Sequence, residues 1–460
     1  MRGLKSTLAL VVVAAALGGY VYFVESERPD SGVEPRTKVF ALEADKIQEM
    51  RITSSGETTV VRKVDGTWRI TEPIEADADQ TEMSSLTSNL ASLEENRVVD
   101  EQAADLGLFG LATPDVQVSF TAEGGVSGAI AFGDTTPTGG DLYAVKPGEK
   151  RVFLVPAYLE TTFARRTFDL RDKRALRFER DQIDGLEIAA GTAKVTVRRD
   201  GSEWALTSPV AARADYSAVE AVITRASSAA MTEIVGGADA DLKTYGLDRP
   251  AFTLTLAAGS TRATLAVSRD IDGRRYARDE SRPLVFAVDP TLAKDLDKTV
   301  DDLRDKDIFE FRTYNIDRLH IAQGGDLVEL VKSRGAAGAG ETWQRTRGGV
   351  TAAVELAAVD DLLSKLSGLR AQSFAATAPR PDASTVRIEA SYDGGKFERV
   401  RLLQGNDDAF AARDGEPGAA RLDATALGEA LKAIDRVNAS QVAAEPAGNA
   451  TPGNATPPTP

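Results

Sequence analysis

The sequence predicts an α+β protein, a single N-terminal transmembrane helix followed by tandem repeats of mostly antiparallel sheet with packed helices. Three observations predict it. An uncharged apolar run stands near the N-terminus, unrelated residue markers recur at almost constant offset, and within each recurrence the apolar spacing changes from a period of two to a period near 3.6. At roughly 150 residues per domain, 460 residues make about three domains.

The apolar run extends from Leu8 to Val24 without a charge, 17 residues. At 1.5 Å per residue it measures about 26 Å as a helix, close to the shortest length that crosses a bilayer core. Arg2 and Lys5 precede it, and Glu25, Glu27 and Asp30 follow. The positive-inside rule therefore places the N-terminus in the cytoplasm and everything after Val24 outside. Tyr20, Tyr22 and Phe23 gather at the outer end, where amphipathic rings anchor. The competing reading is a cleaved signal peptide, because Ala14-Ala15-Ala16 satisfies the small-residue pattern. Cleavage there would leave Leu17 to Val24 as an apolar new terminus, which favours an uncleaved anchor over residues 1–24. Residues 25–36, with Pro29, Gly32 and Pro35, form a polar stalk.

All three tryptophans mark the repeat. Trp68 sits in Asp-Gly-Thr-Trp-Arg-Ile-Thr-Glu-Pro, Trp204 in Asp-Gly-Ser-Glu-Trp-Ala-Leu-Thr-Ser-Pro and Trp343 in Gly-Glu-Thr-Trp-Gln-Arg-Thr, spaced by 136 and 139 residues. Gly110-Leu111 with Pro114 recurs as Gly246-Leu247 with Pro250 after 136 residues; Leu170-Arg-Asp-Lys173 recurs as Leu303-Arg-Asp-Lys306 after 133. The chain divides into repeats over 37–175, 176–310 and 311–437, ahead of a Pro/Thr/Ala-rich disordered tail over 438–460. The third copy keeps Trp343 but lacks the Tyr-Gly-Leu element, and reads as divergent and shortened. In the second copy, Gly185 to Ile188, Ala193 to Arg198 and Glu203 to Thr207 form a three-stranded meander. Asp215 caps a helix whose stripe is Val219, Val222, Ile223, Ala226 and Ala230. Four strands follow Pro250, then one helix from Thr291 to Leu303. Trp68, Trp204 and Trp343 are expected in the repeat cores.

The composition excludes much chemistry. A net charge of -15 disfavours nucleic acid as a partner, because the long-range field repels phosphate. Without cysteine there is no disulfide, thiolate metal site, cysteine nucleophile or lipidated cysteine. A single histidine, His320, excludes a site needing two imidazoles from one chain. His320 lies on the polar phase of a strand and reads as a surface residue. The acidic clusters Glu75-Ala-Asp77-Ala-Asp79, Asp239-Ala-Asp241 and Asp270-Ile-Asp272-Gly273 read as caps and turns. The recurring Leu-Arg-Asp-Lys reads as an inter-repeat hinge or a helix-end ion cluster. No catalytic residue, cofactor-binding residue or metal ligand is expected, and the protein is read as no enzyme.

Taken together, the basic start, the anchor ending Gly-Gly-Tyr-Val-Tyr-Phe-Val-Glu, and the repeated Asp-Gly-x-Trp-x-Ile/Leu-Thr-x-Pro and Tyr-Gly-Leu-x-x-Pro elements resemble the bacterial domain-of-unknown-function family 4340. The resemblance runs from the anchor to about Val437 and rests on structural markers. It implies genes beside gliding-type ABC transporter parts, and hence a membrane-anchored extracytoplasmic accessory or scaffold protein of an envelope transport complex. That role implies the bacterial inner membrane as location, with periplasmic repeats and a membrane-protein partner. The alternative is a module binding an envelope polymer or a small ligand.

Overall fold

The computed structural model describes residues 37–334, 341–405 and 408–439. The anchor residues Arg2, Lys5, Leu8 and Val24 lie outside them, as do the stalk and most of the tail. Among the described residues no helix is long and apolar enough to cross a membrane. The chain forms two compact units, Met1–Lys173 and Arg174–Pro460. The first contains one nine-stranded antiparallel sheet and the second contains two, all three with the same strand order.

In the second repeat the strands Gly185–Ala190, Ala193–Asp200, Glu203–Ser208 and Ala212–Arg213 run outward from the middle of the sheet to one edge. The helix Tyr216–Ser227 then carries the chain across one face to the far edge strand, Met231–Gly236. A loop returns it to the middle, where Phe252–Ala258 pairs with Gly185–Ala190. Thr261–Val267, Arg275–Asp279 and Val285–Val288 complete the sheet, the last pairing with Met231–Gly236.

Apolar alternation decides which face is covered. Leu186, Ile188, Leu254 and Leu256 are buried, while Glu187, Thr253 and Thr255 between them are partly open. The covering helix buries Val219, Val222, Ile223 and Ala226, and Asp215 caps its N-terminus by accepting from the Ala218 N–H at 3.0 Å. Equivalent twelve-residue helices are Gln80–Ala91, capped by Asp79, and Leu356–Ser367, where Glu355 makes no side-chain cap. Trp68, Trp204 and Trp343 are 5%, 2% and 2% exposed. Each stands opposite a cation in the strand register, Lys63, Arg199 and Lys332 respectively. Lys63 and Arg199 lie over their indole rings at 5.2 and 5.4 Å.

The Gly-Leu-x-x-Pro element covers part of the other face. Leu111 packs with Ala131, Val145 and Val152, and Leu247 with Ala266 and Val285. Gly110 ends a 3-10 turn at φ 70°, and a Cβ on it would stand 2.7 Å from the Asp134 backbone nitrogen. Only glycine supplies that conformation and that clearance.

The third copy, shortened by the loss of the Tyr-Gly-Leu element, still builds the complete nine-stranded sheet. Its third and fourth strands, Glu341–Arg347 and Val350–Val354, are joined by Gly348-Gly349, both at positive φ as a two-residue hairpin requires. The helix expected from Thr291 to Leu303 is two, Thr291–Leu296 and Val300–Leu303, because Thr299 and Asp302 form a capping box that starts a new turn. Finally, the far edge strand Met231–Gly236 escapes periodicity, since Met231 is its one buried residue and no alternation follows it.

Replacing Trp204 by Ala empties a fully buried aromatic site and should destabilise the protein by about 3 to 5 kcal/mol. Thermal and denaturant melting measure it; an unchanged melt would show that the indole contributes nothing to the core.

Candidate functional site

The densest set of ionisable side chains among those described lies within the second unit, where the second repeat passes into the third. Arg213 ends the edge strand of the second sheet, and Arg304 and Asp305 follow the Val300–Leu303 helix. Arg413 ends the strand Ala409–Arg413 of the third sheet, and Glu416 lies in the turn after it. Glu416 takes Arg213 Nε on one oxygen at 2.9 Å and Arg304 Nη2 on the other at 2.8 Å. Arg213 Nη1 also meets Asp305 at 2.9 Å, and its Nη2 donates to the Asp307 carbonyl at 2.6 Å. Arg413 meets Glu310 at 2.7 Å and pairs with Glu398. Glu398, itself buried, accepts from the N–H groups of Glu310 and Phe311, fixing the inter-repeat segment against the third sheet. The Arg304 guanidinium lies 4.0 Å from the Phe374 ring centroid.

These carboxylates titrate differently because their surroundings differ. For Glu416 burial works against ionisation, but the hydrogen bond from Arg304 and the attraction of Arg213 outweigh it and hold the carboxyl below the usual range. Burial pushes the Asp305 carboxyl up, with Arg213 pulling the other way. Burial also opposes the charge on Arg213, yet Asp305 and Glu416 hold it more firmly protonated. Burial and the hydrogen bond it donates to Glu310 push the Tyr392 phenol up. The space among these groups is ≈ 20 Å³, room for about one water. A substrate does not fit; the cluster is a joint.

The sequence marks Leu303 to Lys306 here, and the structure brings Arg304 and Asp305 into the joint. Sequence reasoning misses Arg213, Glu310, Glu398, Arg413 and Glu416, whose partners are distant in sequence. One signal existed. Asp279 and Arg282 occupy the same turn of the second sheet as Arg413 and Glu416 do in the third, with the charges reversed. Arg282 there donates to the carbonyls of Arg174 and Ala175, the counterparts of Asp307 and Ile308.

His320 lies on the open face of the third sheet, its side chain 35% exposed. It is cross-strand neighbour to Glu329 and Glu389. Its Nε2 is 3.1 Å from Glu329, which also holds Arg318 at 3.3 Å. A shallow cleft of ≈ 480 Å³ adjoins it, lined in part by Leu327, Arg387, Arg399 and Arg401, with no Phe, Tyr or Trp in its wall. Among the described residues no group of three or more His, Asp and Glu is placed to hold a metal. The acidic clusters serve locally: Asp79 caps a helix, Asp241 accepts from the Lys243 N–H, and Asp270 closes a hairpin by accepting from the Gly273 N–H.

The model of a family described as Domain of unknown function (DUF4340) matches the chain twice in succession, over residues 68–205 and 204–388. Each match starts at a core tryptophan. No curated protein matches. Among solved structures, the crystal structure of a DNA polymerase sliding clamp from Pseudomonas aeruginosa with ligand is 9% identical, over 83% of this chain and 92% of that one, at a TM-score of 0.16. A superposition that poor carries no argument about fold or function.

Two substitutions separate the joint from the open face. Glu416→Gln leaves Arg213 and Arg304 without their shared anion and should cost roughly 3 kcal/mol near pH 7. Because the folded carboxyl lies below its ordinary value of 4.5, this stabilisation is complete above that pH and is lost as pH falls through the folded value. Wild type and Glu416→Gln should therefore converge in acid, and melts that stayed parallel would contradict the assignment. His320→Ala should change stability by no more than about 0.5 kcal/mol, as for a surface site. A large loss would assign the imidazole a structural bond beyond Glu329.

Proposed function

The chain belongs to the family of the domain of unknown function DUF4340, and on that footing we propose that it is a membrane-anchored extracytoplasmic accessory or scaffold protein of an envelope transport complex. The observation that carries this reading is the joint between the second and third repeats. Its charged side chains are spent on one another around a space of ≈ 20 Å³, which stiffens two sheets into one body and offers nothing for a substrate to enter. A stiff body with broad sheet faces suits a protein that positions partners. The Leu8 to Val24 run, entered from Arg2 and Lys5, supplies the inner-membrane anchor with the repeats in the periplasm. The family resemblance adds the class of partner, a membrane protein of an ABC-type, gliding-like transporter.

One observation favours the second reading, a binder of envelope polymer or small ligand: the cleft beside His320. Sugar polymers are held mainly by stacking on broad aromatic rings, and apart from the His320 imidazole this cleft has none in its wall, so the scaffold reading is preferred.

A reporter active only outside the cytoplasm, fused after Ala444, should be active, and the chain purified from detergent-solubilised membranes should carry a transporter permease with it. Activity of a cytoplasm-only reporter at the same point would overturn the topology. Full complementation by repeats released from the membrane through a cleavable signal would overturn the scaffold role, which depends on high effective concentration beside the partner.

A further inference from the structure

The cleft on the open face of the third sheet lies over two arginines that face one another, and we propose that Arg387 and Arg401 bind the phosphate group of a small soluble phosphomonoester there. The inference does not rest on the scaffold role; it names a ligand class for the small-ligand reading of the same cleft.

The register makes the position comparable across the repeats. In each, the strand after the long loop and its hairpin partner set a facing pair on the open side: Gln117 and Ala131 in the first, Thr253 and Ala266 in the second, Arg387 and Arg401 in the third. The first member of each pair stands beside Thr53, Ala189 and Ala322 of the central strand, respectively. In the first two repeats the alanine is buried under the Gly-Leu-x-x-Pro element, Leu111 packing with Ala131 and Leu247 with Ala266. Those loops span residues 101–115 and 237–251, whereas the third spans only 376–385 and contains no leucine. The third repeat has thus lost the cover and exchanged the neutral pair beneath it for two cations.

The surrounding charges leave this pair unanswered. One row of the open face alternates across the strands as Glu329, His320, Glu389 and Arg399, and each acid in it has a partner. The next row runs Leu327, Ala322, Arg387, Arg401 and Ala412, two cations side by side with no acid among them. Like charges directly opposite on paired strands are destabilising. Among the described residues the Arg387 side chain makes no hydrogen bond or ion pair. Arg401 reaches a carboxylate only at 3.9 Å, from Nε to Asp414, and that Nε has no hydrogen-bond partner. Arg399, the third arginine of the cleft, is already paired with Glu389.

A phosphomonoester answers the pair because it carries about two negative charges near pH 7, and guanidinium groups meet its oxygens with paired hydrogen bonds. The row also selects what the phosphate is attached to. Ala322 is small, and Leu327 beyond it is 59% exposed. An apolar group reaching from the phosphate over two strand spacings, roughly 10 Å, covers that leucine. The cleft of ≈ 480 Å³ has room for a molecule of this size.

The experiment is a calorimetric titration of the full chain in micelles of an uncharged detergent. Phenyl phosphate should bind in one-to-one ratio, inorganic phosphate more weakly and phenol not at all. Arg387→Gln and Arg401→Gln should each weaken phenyl phosphate about tenfold or more, the scale of a charged hydrogen bond. Arg51→Gln, exposed on the central strand of the first sheet, should leave binding unchanged. Leu327→Ala should weaken phenyl phosphate several-fold and inorganic phosphate not at all. With no ligand present Arg387→Gln relieves repulsion and should melt no lower than the unmodified chain, whereas a lower melt would make the pair structural and overturn the proposal. Absence of saturable binding by either phosphate would overturn it, as would equal weakening by Arg51→Gln, which would reduce the attraction to general surface charge. Loss of phenyl phosphate binding on adding phosphatidylglycerol to the micelles would also overturn it, assigning the pair to a lipid headgroup instead.

Discussion

One-sided burial is the constraint on which the rest of each repeat depends. A nine-stranded antiparallel sheet whose strands alternate apolar and polar residues has one face that must leave water, and here a twelve-residue helix crossing that face does most of the covering. The crossing also fixes the topology: the helix starts at one edge and delivers the chain to the other, so the following strands can only return through the middle. The tryptophan strand lies under the start of this helix. In the first repeat Gln80, on the first turn, ties the Trp68 N–H and carbonyl to the helix directly.

The same constraint explains where polar chemistry accumulates. With one face apolar, ionisable groups are left to the open faces, the edges and the turns between repeats. On the open faces they pair in solvent, as Arg399 with Glu389 and Arg318 with Glu329, and such pairs contribute little. Between the second and third repeats they are withdrawn from water, and there each cation must be met closely, because a buried charge without a partner is costly. Arg304, its side chain 7% exposed, is held by a carboxylate oxygen of Glu416, the Pro417 carbonyl and an aromatic face.

Much of this was legible in the sequence, for reasons that differ by element. The meander and the helix stripe of the second copy could be read because alternation at two and recurrence at 3.6 are strong where one face is buried and the other open. The two-residue edge strands Ala76–Asp77 and Ala212–Arg213 carry no period at all, since they consist of one step. The completeness of the third sheet was hidden because its markers are the part that diverged; its loop had lost Tyr-Gly-Leu while strands such as Val386–Tyr392 kept their alternation intact. The capping box of Thr299 and Asp302 was written in plain spacing inside an apolar run that looked continuous. The joint could not be read, because Arg213 and Glu416 stand 203 positions apart and nothing local selects one arginine among many.

The exchange of Asp279 and Arg282 for Arg413 and Glu416 gives the repeats an order. Duplicated units that met through identical surfaces could be added, deleted or shuffled by recombination with no penalty at their borders. Here the turn that receives the second repeat's arginines presents an anion, and the matching turn one repeat earlier presents a cation. A copy of the second repeat inserted after itself would set Arg282 against Arg213 and Arg304, so that border would carry an electrostatic mismatch which the shared fold alone does not impose.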